Sequence, residues 1–155
     1  MSADLLKTPL HGLHLELGAK MTLFAGYDMP VSYPEGIIAE HRHCRENAAL
    51  FDVSHMGQLR LVGDEAAAAL ETLVPVDVVD LAVGKQRYAL FTNAAGGILD
   101  DLMICRRAND LFVVVNAACK AADTQHLVTH LGHRCQVVSM PERALLALQG
   151  IKAAR

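Results

Sequence analysis

The sequence predicts an α+β fold, with a mostly antiparallel sheet carrying helices on one face and an incomplete second unit beside it. Apolar and polar residues alternate repeatedly between residues 59 and 139, with turn residues separating the runs. Two helical windows interrupt that pattern, and the first fifty or so and last sixteen residues supply too few elements for a core of their own. Residues 53 to 139 therefore read as a β-α-β-β-β-α-β unit. The expected organisation is an inserted α+β domain at 52–139 within an incomplete first domain made of 1–51 and 140–155.

Taken in order, residues 5 to 17 mix apolar and polar positions around Pro9 and suit a short helix or an irregular entry segment. Met21 to Pro30 reads as a strand whose apolar part precedes the turn-rich run Gly26-Tyr27-Asp28-Met29-Pro30. A helix is expected from about Glu35, with Ile37, Ile38, His41, Cys44, Arg45, Ala48 and Ala49 on one face. Residues 51 to 58 interrupt it and lead into a half-exposed strand at Leu59–Gly63. Asp64 is the expected N-cap of an alanine-rich helix, Glu65 to Leu73, that stops before Pro75.

Lys85 to Thr92 and Ile98 to Arg106 alternate on either side of the turn-rich segment Asn93 to Gly97, a hairpin signature. Arg107–Asp110 turns the chain into Leu111–Val115, an apolar run expected at the sheet centre, ended by the polar Asn116. Lys120 to Leu131 is helical up to Gly132, and Cys135 to Val138 is the unit's last strand. The run Ala144-Leu145-Leu146-Ala147-Leu148-Gln149-Gly150 resembles a buried strand that requires neighbours.

Composition excludes several function classes. The 155 residues are 52% hydrophobic with a formal net charge of -3, and their 14 basic residues are scattered, so the footprint of a nucleic-acid binder is missing. No stretch approaches the roughly 18 apolar residues of a membrane helix, and residues 1 to 7 carry no leader-like pattern, so a soluble, cytoplasmic protein is expected. Cys44, Cys105, Cys119 and Cys135 form no C-x-x-C pair and read as reduced, mostly buried thiols. His126 and His130 have helical spacing, but Leu127-Val128-Thr129 between them supplies no glutamate of an H-E-x-x-H site, so surface histidines and no metal are expected.

The chemistry-bearing feature is Gly96-Gly97-Ile98-Leu99-Asp100-Asp101, two adjacent carboxylates just past a glycine turn in an apolar hairpin. Successive strand residues point to opposite faces, so one carboxylate should face the interior or a cleft and the other the opposite side. A buried carboxylate needs hydrogen bonds or a counter-charge, or it takes up a proton.

That motif, with Gly18-Ala19-Lys20-Met21, Phe24-Ala25-Gly26-Tyr27, Phe51-Asp52-Val53-Ser54-His55-Met56, Leu90-Phe91-Thr92-Asn93 and Ala144 to Gly150, resembles the N-terminal part of the glycine-cleavage aminomethyltransferase family (T-protein). The resemblance covers nearly the whole chain. It implies tetrahydrofolate as co-substrate, no metal, and transfer of an aminomethyl group from the lipoyl arm of H-protein to give methylenetetrahydrofolate and ammonia. It also implies that Asp101 is catalytic, close to the reacting folate nitrogens, where a carboxylate can orient an amine, manage its proton and stabilise developing positive charge. Asp100 would be structural. Met56, Tyr88, Val114 and Asn116 fall where the family lines its pterin pocket, and His55 is expected to pack.

Family members are longer, and their later region supplies a glutamate, an arginine and aromatic residues of the folate site before a C-terminal β domain. The chain is therefore expected to be a fragment or truncated product that lacks much of the folate surface, and one reading has it survive only as a folding unit that self-associates through the apolar surface left exposed. Two other readings stay open: a folate-binding or regulatory module like the superfamily's iron–sulfur-assembly members, and a segment of a folate-dependent demethylase.

Overall fold

The computed structural model describes residues 5–154. Their elements run α1 (His11–Glu16), β1 (Lys20–Phe24), β2 (Tyr27–Ser32), α2 (Ile37–Glu46), β3 (Ala49–Asp52), β4 (Gly57–Val62), α3 (Ala66–Leu70), β5 (Gln86–Thr92), β6 (Ile98–Arg106), β7 (Leu111–Val115), α4 (Lys120–Leu131), β8 (Gln136–Ser139) and β9 (Leu146–Gln149). This is the expected α+β class, with antiparallel pairing in every sheet. The chain divides into two compact units, one reaching to His55 and resuming at Glu142, the other Met56–Pro141.

The second unit is a five-stranded sheet in the order β5-β6-β7-β4-β8. Alternate residues of its strands, Leu59 and Leu61, Ala89 and Phe91, Leu102 and Ile104, and Leu111, Val113 and Val115, are buried in one cluster with Ala66, Leu70, Leu127 and Leu131 of α3 and α4. That period of two, meeting the helices' apolar faces, makes this side of the sheet the core. The other side carries Tyr88, Leu90, Asp101, Met103, Phe112 and Val114. The helix after β4 is shorter than expected and is capped at Glu65 rather than Asp64, with no side-chain capping bond.

The β5–β6 hairpin closes as its sequence predicts. Asn93 Oδ1 accepts hydrogen bonds from the backbone N–H groups of Ala95 (3.0 Å) and Gly97 (2.9 Å), and Gly96 takes the left-handed φ of 79° that the turn requires. A register shift follows, with Phe91 opposite Asp100 and Thr92 opposite Ile98, so Leu99 is the extra residue of a bulge.

The first unit differs more from expectation. Met21 to Pro30 forms a hairpin of β1 and β2, not one strand, because Ala25 (φ 48°) and Gly26 (φ 83°) turn the chain between them. The helix ends at Glu46, and Ala49, placed on its face by the periodicity, instead opens β3, which pairs with β9. β9 was expected to be buried, yet Leu146 and Leu148 are each 49% exposed in this two-stranded sheet. Asp52 takes the place of an apolar centre: Thr8 Oγ1 (2.7 Å) and Ser54 N–H (2.9 Å) donate to it, and His14 Nε2 lies 2.8 Å away while its Nδ1 meets the Tyr33 hydroxyl. Burial pushes the Asp52 carboxyl up, but these hydrogen bonds hold it below the ordinary aspartate value. Asp52 thus belongs with the first unit, which extends to His55 against the expected boundary at 51.

Gly150 ends β9 at a φ of 114°, and a Cβ there would collide with the carbonyl oxygens of Asn47 and Cys44 at the end of α2. Gly150→Ala should therefore cost about 2 kcal/mol or more, combining backbone strain with a clash against immobile backbone. A thermal melt of the variant checks this, and an unchanged midpoint would show that β9 does not close on α2.

Candidate functional site

The strand register assembles the sequence-predicted residues on one face. Tyr88 stands opposite Met103, which stands opposite Val114, which stands opposite Gln58, forming a row across β5, β6, β7 and β4. Asp101 lies next along β6, opposite Leu90, and Asn116 follows the end of β7. Met56 immediately precedes β4, whose Gly57 pairs with Val115, so Met56 and Asn116 share one end of the sheet. Asp101, Tyr88, Val114, Asn116 and Met56 thus share this end or this face. Tyr88 is 57% exposed, whereas Val114 is 8% exposed and belongs to the sheet's packing as much as to its surface.

Asn116 joins the two carboxylates. Its Nδ2 donates to Asp101 Oδ1 at 2.8 Å and to Asp100 Oδ1 at 2.9 Å, so the amide's two hydrogens each have a carboxylate. The Tyr88 hydroxyl also hydrogen-bonds Asp101; its pKa is raised by desolvation and by the Asp101 and Asp100 charges, so it stays a proton donor at neutral pH. Asp101 is therefore held from two sides on the open face.

Asp100 has the parity of Leu102 and Ile104 and points toward the start of α4. It accepts from Asn116, from the Asp101 backbone N–H (2.9 Å) and from the Cys119 thiol. Burial raises its pKa, but these donors and the neighbouring Asp123 carboxyl bring it below the ordinary value. Asp123, on the first turn of α4, is 6% exposed, and burial together with the adjacent Asp100 pushes it up to about 7. The thiol of Cys119 is raised chiefly by its hydrogen bond to Asp100 and by that charge.

Residues 10–155 match the family model described as the GCVT N-terminal domain. The chain belongs to this family. This GCVT-family chain is 42% identical over 157 residues to the mitochondrial aminomethyltransferase of Dictyostelium discoideum, covering 96% of the chain and 39% of that protein. It is 44% identical over 151 residues to the aminomethyltransferase of Deinococcus deserti, covering 96% of the chain and 42% of the relative. Among solved structures, the glycine cleavage system aminomethyltransferase T from Bartonella henselae superposes with a TM-score of 0.91 at 43% identity, over 97% of the chain and 42% of that structure. The GCVT-family chain thus spans about two fifths of the length of the relatives it matches.

Several expectations for the remaining polar residues change. Cys44, Cys105 and Cys119 are half-buried and only Cys135 is buried, so the four free thiols are less enclosed than predicted, because the first three sit at element ends or on the open face. His126 is not a plain surface residue: its ring packs edge-on against Phe91 at 5.3 Å and lies 4.4 Å from the His130 ring. His55 packs edge-on against Phe24 and Tyr27. Among the described residues, no group of three or more histidine, cysteine, aspartate or glutamate side chains could hold a metal ion, and no helix is long and apolar enough to cross a membrane. Asp123 and Cys119 are the site residues that sequence reasoning missed. A helical aspartate one turn past the helix start has no pattern that separates it from a solvated one.

Proposed function

We propose that this chain carries part of the folate site of an aminomethyltransferase that moves an aminomethyl group from the lipoyl arm of H-protein to tetrahydrofolate, releasing methylenetetrahydrofolate and ammonia. The observation that supports this best is the Asp101 carboxylate, held by Asn116 and Tyr88 on the non-core face of the sheet, in line with the apolar row formed by Met103 and Val114. Asn116 Nδ2 and the Tyr88 hydroxyl occupy part of Asp101's acceptor capacity and fix its direction, leaving further lone pairs for an N–H donor.

A carboxylate so placed orients a nucleophilic amine, accepts its proton as the new C–N bond forms, and stabilises positive charge on the transferred carbon. Tyr88 and Val114 offer a flat apolar surface for an aromatic ring system, with Met56 at its edge. The residue types fit a pterin, which presents a planar face and polar edges, and Asn116 is the amide nearest the carboxylate.

Two measurements test the reading. Calorimetric titration of this chain with tetrahydrofolate should release heat and raise the melting temperature; millimolar ligand that does neither would leave the chain without a usable folate site. Grafting residues 10–155 into the Deinococcus deserti relative in place of its matching segment allows turnover to be followed. There Asp101→Asn should lower methylenetetrahydrofolate formation by about 10²–10⁴-fold. Unchanged turnover would remove Asp101 from the mechanism.

A further inference from the structure

Two neighbouring aspartates each bury a carboxylate oxygen to which nothing donates. Among the described residues Asp100 Oδ2 and Asp123 Oδ2 are enclosed without a hydrogen-bond partner, and the two carboxyl groups are in hydrogen-bond contact. Two ionised carboxylates in that arrangement repel in a medium that screens them poorly. One proton between the two groups converts the repulsion into a charge-assisted O–H···O hydrogen bond.

We propose that Asp100 and Asp123 share one proton at neutral pH, carried on Asp123, and that this pair positions Asp101 through the Asn116 amide. The proton stays with Asp123 because Asp100 already has three other donors, Asn116 Nδ2, the Asp101 N–H and the Cys119 thiol, all of which favour its ionised form. Fixed in this way, Asp100 Oδ1 holds one hydrogen of the Asn116 amide and leaves the other aimed at Asp101 Oδ1. Asp123 is thus a positioning residue, three links from the carboxylate that meets the ligand. The link from Asp101 to chemistry rests on the function proposed above, but the shared proton does not.

The groups that act on the pair are an amide, a backbone N–H, a thiol and neighbouring carboxylates, with no cation among them. Asp100 and Asp101 on β6 are the charges acting on Asp123. Of the elements packed on α4, β8 and α3 hold no ionisable residue, and the one charged residue of β4, Arg60, donates to Asp110 at 2.7 Å. On α4 itself, Lys120 lies one turn before Asp123, and the His126 ring is kept toward its neutral form by burial and by His130.

The test is a carboxyl-carbon NMR titration of this chain from about pH 4 to about pH 9, with the Asn116 side-chain amide followed in parallel. Asp123 and Asp100 should move together in a step centred near 7, far above the ordinary aspartate range, and the Asn116 amide should follow the same step. Asp123→Asn replaces the shared proton with an amide N–H, so it should abolish the step while keeping the Asn116 signals at their low-pH position. Asp123→Leu should abolish it and displace them. An Asp123 carboxyl that titrates in the ordinary range, or an Asn116 amide indifferent to the step, would overturn the proposal. The wild-type titration decides even if a variant fails to fold. Because no folate is present, loss of this result leaves the proposed function standing, and loss of folate binding leaves this result standing.

Discussion

Phe91→Ala is expected to destabilise the chain by about 3–5 kcal/mol, a large share of the 5–15 kcal/mol typical of a folded domain. Phe91 is fully buried, its ring sits in the cluster formed by the sheet and the two helices α3 and α4, and it packs against the edge of His126. Truncation removes the transfer free energy of a whole ring and leaves a cavity that rigid neighbouring strands fill poorly. Phe91 also pairs directly with Asp100, so the cavity would open beneath the strand that carries the carboxylate pair. Urea denaturation is the appropriate measurement, because an unchanged slope with a lower midpoint isolates native-state stability. A loss below about 1 kcal/mol would mean that Phe91 does not fill a packed core.

That residue also shows how far local pattern reaches. The alternation in β5 and β6 is enough to place Phe91 on the core side, to close the hairpin at Asn93 and Gly96, and to send Asp100 and Asp101 to opposite faces. A period of two and turn chemistry are local properties, so the sequence displays them directly. The pairing of β3 with β9 is not local. Asp52 meets Leu146, 94 positions further along the chain, so Ala49 continues the helical period on paper and leaves it in the structure. The apolar run of β9 states a preference for burial without naming what would provide it, and in the described residues Leu146 and Leu148 remain half-exposed.

The candidate site divides along the same line. Tyr88, Val114 and Asp101 come onto one face through strand register, which alternation makes legible. The protonation of Asp123 depends on which side chain from a distant strand meets it in a dry place, and neither spacing nor composition encodes that. It acts in opposite directions on stability for the two partners. Asp123 is raised in the folded state, so its stabilising proton is fully present below the unfolded value of about 3.9 and is lost as pH rises through about 7. Asp100 is lowered, so its contribution is present above about 3.9 and is lost as pH falls through its depressed folded value.

Asn116→Asp should expose this electrostatic balance with a loss of roughly 2–4 kcal/mol at pH near 8 that shrinks as the solution is acidified. The substitution keeps the shape of the side chain but replaces the nitrogen that donates to Asp100 at 2.9 Å and Asp101 at 2.8 Å with a third carboxylate oxygen. Both existing carboxylates lose a donor, and three acceptors then converge on one point. The introduced carboxyl has its pKa raised in the folded state, so the loss is small below the unfolded value of about 3.9 and grows as pH rises through the raised one. Solvent reaches the half-buried position 116 and screens part of the repulsion, which keeps the expected loss to a few kcal/mol. Asn116→Ala is the companion variant: it removes the same donor without adding charge and should cost about 1–3 kcal/mol with little additional dependence on pH. The difference between the two variants' urea midpoints, taken near pH 5 and near pH 8, therefore reports the charge alone. If that difference does not change between the two conditions, the three carboxyl groups do not meet, and Asn116 cannot be the clamp that aims Asp101.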